Sequence, residues 1–400
     1  MRWILRFLPG ALVCGAVLTA FLAPAPIAAC PFCGPPSLTL GEQFAKSDAA
    51  VLVTWVSGET PSKDKLGSTT YEVVQVAHSP AKSVEKGKKI TLDRYRAGKQ
   101  GDLALLLGSR ARADSLEWGS PLEVTKQSYG YMVDAPPADA KPEKRLAYYL
   151  KFLENPDRMI ADDAYAEFAN APYKDILPLA KQFPRESLRK WLVSPDIPAT
   201  RMGLYGLMLG LCGADEDAAL MEAKINENTE GFRLGIDGVM AGYVLLTGEK
   251  GLEKIEKSKL DVQKIQKKEI PFSETYAALQ ALRFHWAYGN GRIPAERLRA
   301  SMRLALDCPE ISDLAIGDLM RWKDWTLHAR LMEMYDAEEY SVPTIKRAIV
   351  RYMIASTKDV PAGGGEPPGK HVAEGARCLE KLRDKDPKLV NEAERYFFLQ

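Results

Sequence analysis

The sequence predicts an α+β protein in two parts, a small antiparallel β-barrel followed by an all-α array of helical repeats. Three observations carry that expectation. β-Branched and aromatic runs are confined to residues 49–133, a proline-rich break follows at 135–142, and apolar i, i+3, i+4 spacing runs from 143 onward. With 400 residues and 46% hydrophobic side chains, the chain can bury a large core.

The first element is built like an export signal. Arg2 and Arg6 form a basic leader, Phe7 to Ala23 an apolar run, and Ala25-Pro26-Ile27-Ala28-Ala29 a stretch suited to cleavage, so residues 1–29 read as a signal peptide. Two other readings stay open. The apolar run approaches the roughly 20 residues that span a bilayer, although Pro9, Pro24 and Pro26 oppose an uncleaved anchor. Ile27-Ala28-Ala29-Cys30 also has the form of a lipobox, which would place a lipid on Cys30. The expected location is therefore periplasmic or secreted, with membrane attachment only through an uncleaved signal or that lipid.

Cys30-Pro31-Phe32-Cys33 stands directly after the cleavage position. In an oxidising compartment Cys30 and Cys33 are candidates for a short-loop disulfide. Cys212, Cys308 and Cys378 lie in apolar helical patterns and read as small buried residues. An odd number of cysteines after Ala29 leaves at least one thiol free or paired between chains, and a bridge between two of the later three stays open.

Leu38 to Lys46 reads as a short helix capped by Ser37 or Thr39. Strands are expected at Val51–Val56, Thr69–Val76, Ile90–Tyr95, Leu103–Leu107, Leu116–Trp118 and Tyr129–Val133, which suits a closed or nearly closed small barrel over 30–134. Pro136, Pro137 and Pro142 mark 135–142 as a linker. About fourteen short helical segments follow over 143–400, interrupted by a flexible Gly/Pro loop at 358–370. Gly203, Gly206 and Gly210 recur 32 residues later as Gly235, Gly238 and Gly242, with Leu207/Val239 and Met208/Met240 matching between them. A helix-interior glycine costs about 0.5–1 kcal/mol against alanine, so close helix packing is the expected compensation. Periods of this length belong to helical solenoids.

Asn155-Pro156-Asp157 with Ile160-Ala161-Asp162-Asp163-Ala164-Tyr165-Ala166-Glu167-Phe168 makes residues 143–355 resemble HEAT repeats. That resemblance implies a curved protein-binding surface. Cys30-Pro31-Phe32-Cys33-Gly34-Pro35-Pro36 and Glu42-Gln43-Phe44-Ala45-Lys46-Ser47-Asp48-Ala49-Ala50-Val51, followed by strands, resemble the start of netrin-like modules and tissue inhibitors of metalloproteinases. This likeness implies an OB-like barrel. It further implies that the Cys30 amine and carbonyl would chelate the zinc of a target protease, though the spacing is Cys-x-x-Cys rather than Cys-x-Cys. The whole plan resembles exported bacterial proteins of unassigned function.

Cys-Pro-Phe-Cys also resembles thioredoxin-type sites, where the first thiol sits at a helix N-terminus after a buried strand. Here cleavage would remove anything before Cys30, and Pro35-Pro36 opposes a helix from Cys33. The four histidines lack ligand spacing, Gly34 stands where haem attachment needs histidine, and no cofactor or metal is expected. No Gly-x-Ser-x-Gly, His-Glu-x-x-His or phosphate-binding glycine loop occurs. A formal charge of +1 excludes a strongly basic nucleic-acid face, and the lysines from Lys250 to Lys268 alternate with acids as on a solvated helix. Arg321, Trp322 and Trp325 are a candidate contact site, with helix–helix packing the favoured alternative. The expected function is a non-enzymatic protein-binding scaffold; a thiol oxidoreductase and a metalloprotease inhibitor are the alternatives.

Overall fold

The computed structural model describes residues 30–35, 37–79, 84–112, 115–228, 231–361 and 369–397. The signal segment and most of the Gly/Pro loop lie outside them. The α+β expectation holds: a six-stranded antiparallel sheet precedes a long helical region. Helix α1 (Leu40–Lys46) is the first element among the described residues, with Thr39 as its N-cap accepting from the Glu42 amide at 3.1 Å.

Strands β1 (Ala49–Glu59), β2 (Ser68–His78), β3 (Lys89–Leu92), β4 (Leu103–Arg112), β5 (Ser115–Trp118) and β6 (Leu122–Glu123) pair in the order β3-β2-β1-β4-β5, with β6 also on β4. The uninterrupted apolar run at the start of β1 follows from its central place. Ala50 and Leu52 face the helical core, while Val51 and Val53 face a second cluster with Tyr71, Val73 and Leu106. No backbone pairing joins β3 to β5 among the described residues. Arg94, just after β3, instead donates to the carbonyls of Trp118 and Gly119 at 2.9 and 2.8 Å and so links the two edges.

One expected strand is a helix. Tyr129–Val133 belongs to α2 (Lys126–Val133), because Thr125 and Ser128 form a reciprocal capping box at its start. The alternating Tyr-x-Tyr-x-Val pattern imitates a strand, yet Tyr129, Tyr131 and Met132 are all buried against neighbouring helices. Helical structure thus begins before the prolines, and Pro142 merely starts α3 (Pro142–Tyr149).

Helices α4 (Arg158–Asn170), α5 (Tyr173–Ile176), α6 (Arg185–Val193), α7 (Ala199–Cys212), α8 (Asp215–Ile225), α9 (Ile236–Thr247) and α10 (Glu249–Lys259) come next. They are followed by α11 (Val262–Gln266), α12 (Phe272–Tyr288), α13 (Ala295–Leu304), α14 (Pro309–Arg321) and α15 (His328–Asp336). The last are α16 (Pro343–Lys358), α17 (Lys370–Lys385) and α18 (Pro387–Tyr396). Contacts run from α7 to α9, α9 to α12, α12 to α14 and α14 to α16, beside contacts between sequence neighbours, and α16 packs on both α17 and α18.

The repeated glycines explain the first of these contacts. Gly203 meets Gly238, Gly206 meets Val239, and Gly210 meets Gly242, so the two helices run parallel with backbones touching. A Cβ on Gly206 would stand 2.6 Å from Val239 Cα. Gly235 departs from the expected pattern: it precedes α9 as its N-cap, at φ 79°, where glycine avoids the left-handed penalty. Arginine–carboxylate pairs tie the layers at buried acids, as with Arg185 and Arg189 on Asp217, Arg283 on Asp318 and Arg303 on Asp324.

Candidate functional site

Cys30 and Cys33 form a disulfide, with sulfurs 2.06 Å apart, while Cys212, Cys308 and Cys378 are free. The segment carrying the bridge lies along α4. Cys30 N donates to Ala169 O at 3.1 Å, Gly34 N to the Tyr165 hydroxyl at 3.3 Å, and Leu40 N to Asp163 Oδ1 at 2.6 Å. Asn170 bonds Ser37 through both its amide oxygen and nitrogen. Phe32, 7% exposed, wedges its ring 5.1 Å from that of Phe284 on α12 while its carbonyl lies against Gly203. Gly203 therefore serves two contacts, since a Cβ there would stand 2.6 Å from Phe32 O.

This geometry bears on each chemistry considered for the pair. Cys30 is 5% exposed, its backbone N–H donates to Ala169 and its carbonyl accepts from Cys33. The first sulfur of a thiol-exchange motif would need access to substrate and a helix N-terminus behind it. Here Cys30 is the more buried of the two, and the next helix begins at Leu40. A lipid thioether on Cys30 and this disulfide exclude each other, because both use the same sulfur.

A small cavity of about 160 Å³ opens beside the loop, between Phe32 and Cys33 on one side and Leu234, Asp237 and Tyr276 on the other. Its lining includes two exposed apolar side chains, Phe232 at 70% and Leu234 at 42%, and Phe272, 48% exposed, stacks on the lining residue Tyr276. Arg233 fixes the rim from below, bonding Glu274 and the carbonyls of Lys224 and Ile225. Lys259 reaches the same carboxylate at 2.7 Å. Burial alone would raise the Glu274 pKa, but the two cations outweigh it and hold the carboxyl below its ordinary value. Lys259 is thus 8% exposed and leaves the solvated lysine face expected from its neighbours.

Arg321, Trp322 and Trp325 do not form a common surface. Trp322 is 4% exposed and stacks on Trp286 at 4.5 Å, with Arg299 over the Trp286 ring. Trp325 is half-buried, donates from Nε1 to Asp359 at 2.6 Å and stacks on His371. Both tryptophans pack between helices, so only Arg321 keeps an exposed side chain. The histidines are likewise structural: His285 Nε2 lies 3.0 Å from Ala241 O, and burial lowers its pKa to about 4. Sequence reading missed Phe232, Leu234 and Phe272; the only local signal was an apolar pair inside the turn Gly231-Phe232-Arg233-Leu234-Gly235.

No family model, curated protein or solved structure matches the chain.

Proposed function

We propose that the chain is an exported, non-enzymatic protein-binding scaffold, in which an OB-like, netrin-like sheet leads a HEAT-like array of helical pairs. The observation that carries this reading is the parallel contact of α7 and α9, whose matched glycines lie 32 residues apart, in a series of helix contacts continued by α12, α14 and α16. Such stacks bury their apolar faces on neighbouring units and leave a long outer surface for partners. Export is supported by the signal-like composition of residues 1–29, and a disulfide suits an oxidising compartment.

The test is affinity purification of the full chain from its native exported fraction, beside a Phe232→Ser/Phe272→Ser variant. A partner that binds the purified wild-type chain directly and is weakened by the variant supports the scaffold; recovery of no partner under native export conditions counts against it. Insulin reduction abolished by Cys30→Ser would instead establish a thiol oxidoreductase.

A further inference from the structure

The groove between α14 and α16 carries more positive charge than its surroundings neutralise. A cavity of about 280 Å³ there is lined by Asp313, Gly317 and Arg321 from α14 and by Thr344, Arg347 and Arg351 from α16. On each helix these residues recur three or four apart, which sets them in two facing rows. Gly317 keeps the floor open, since a Cβ there would meet nothing nearer than Arg321 Nη1 at 3.7 Å.

Of the three guanidinium groups only Arg321 has a carboxylate partner among the described residues. That partner, Asp318, is shared with Arg283. Asp313 Oδ1 accepts from the Leu314 amide, and no ion pair joins Asp313 to the arginines. Arg347 is exposed and Arg351 half-buried, and neither has a hydrogen-bond or ion-pair partner among the described residues; Arg351 Nε is enclosed. Arginine stays charged under all physiological conditions, so a guanidinium that lines a groove without an acceptor favours an incoming one. Planar guanidinium groups match carboxylates by paired hydrogen bonds. Leu314 and Ala348, half-buried along the same groove, offer apolar contact that a peptide can use and a bare anion cannot.

We propose that this groove binds an acidic peptide segment of the partner, with Asp or Glu carboxylates taken by Arg347 and Arg351. The inference rests on the scaffold reading and specifies the chemistry of what the scaffold holds. It also gives Arg321 a place at one end of a site, without the two tryptophans.

Fluorescence anisotropy on the full chain tests it, using a dye-labelled peptide rich in Asp and Glu, the same peptide with Asn and Gln in their place, and inorganic phosphate as competitor. The acidic peptide should bind at least about tenfold more tightly than the neutral one, since hydrogen bonds to charged groups are the stronger kind. Arg347→Gln/Arg351→Gln should weaken it by about tenfold or more, while Lys257→Gln/Lys267→Gln, an equal charge change elsewhere, should alter it less than about twofold. Arg351→Lys keeps the charge without the planar fork and should fall between. Thermal melts of each variant separate lost binding from lost folding.

Equal binding of both peptides, equal weakening by the lysine control, or displacement by phosphate at matched charge would each overturn the proposal. A native partner that binds wild type and Arg347→Gln/Arg351→Gln alike would remove the groove and leave the scaffold standing. Absence of any native partner would remove the scaffold itself.

Discussion

Asp163 illustrates what a single buried group does here. It is 6% exposed and accepts from the Leu40 amide and from the Tyr131 hydroxyl at 2.8 Å, tying α1 and α2 to α4. Burial lifts its pKa from 3.8 to about 6, against the opposing pull of those two hydrogen bonds, and Glu167 adds to the rise. The folded chain therefore holds this proton more tightly than the unfolded one. The contribution is fully present below the ordinary carboxylate pKa and is lost as pH rises through about 6. Asp163→Asn keeps an acceptor for Leu40 and carries no charge. Relative to that variant, wild type should lose on the order of 3 kcal/mol between about pH 4 and pH 7. Urea midpoints at both pH values check this, and parallel pH dependences would refute it. None of this was legible in the sequence, where Asp163 is one of two adjacent acids in a helical pattern; burial on that face depends on the position of α1.

At the scale of elements, the glycine seam was legible and the N-terminal wedge was not. Three matched spacings announced a close helix contact, and the contact exists because glycine hydrogens replace side chains between α7 and α9. Gly210→Ala gains about 0.5–1 kcal/mol of helix propensity but drives a methyl group into the Gly242 backbone. It should destabilise by about 1–3 kcal/mol or more. Gly130→Ala in α2, where a Cβ meets nothing within 4 Å, should stabilise by a few tenths to about 1 kcal/mol. Paired thermal melts report both signs. The wedge separates two contributions that share one loop. The bridge closes a separation of only 3 residues, so Cys30→Ala/Cys33→Ala should cost at most about 2 kcal/mol. Phe32→Ala empties a site between Gly203 and Phe284 and should cost about 3 kcal/mol or more. Chemical denaturation of the two variants decides, and a larger loss from the cysteines would show that the bridge, rather than the ring, anchors the leading edge.

For the whole molecule, one continuous core runs from Cys30 and Phe32 through Leu52 and Leu105 of the sheet to Val390 of α18. Linear helical arrays gain stability from each neighbour and lose cooperativity when a unit loosens. A core that crosses from sheet to helices opposes that separation. Tryptophan fluorescence, which reports Trp55 and Trp118 in the sheet and Trp286 and Trp322 in the array, should therefore follow the same urea transition as helical circular dichroism. Two resolved transitions would mean that the sheet and the array unfold as independent units.

What the sequence determined by itself was whatever depends on neighbours along the chain. The short helix before the strands, the β-rich stretch before the long helical region and the glycine period are set by local spacing, while Thr39 rather than Ser37 as the cap and the Cys30–Cys33 bridge came with the structure. Tertiary structure decided what depends on the far side of a residue. The Tyr129–Val133 segment became helix because its cap and its packing outweighed an alternating pattern. Trp322 went inside because Trp286 waits on another helix, Lys259 because Glu274 does, and Phe232 stayed outside because Arg233 is anchored beneath it. The arginines of α14 and α16 are ordinary charged residues in one dimension. Only the packing of α14 against α16 brings them to one groove, since like charges distant in sequence become neighbours when apolar faces must be buried together.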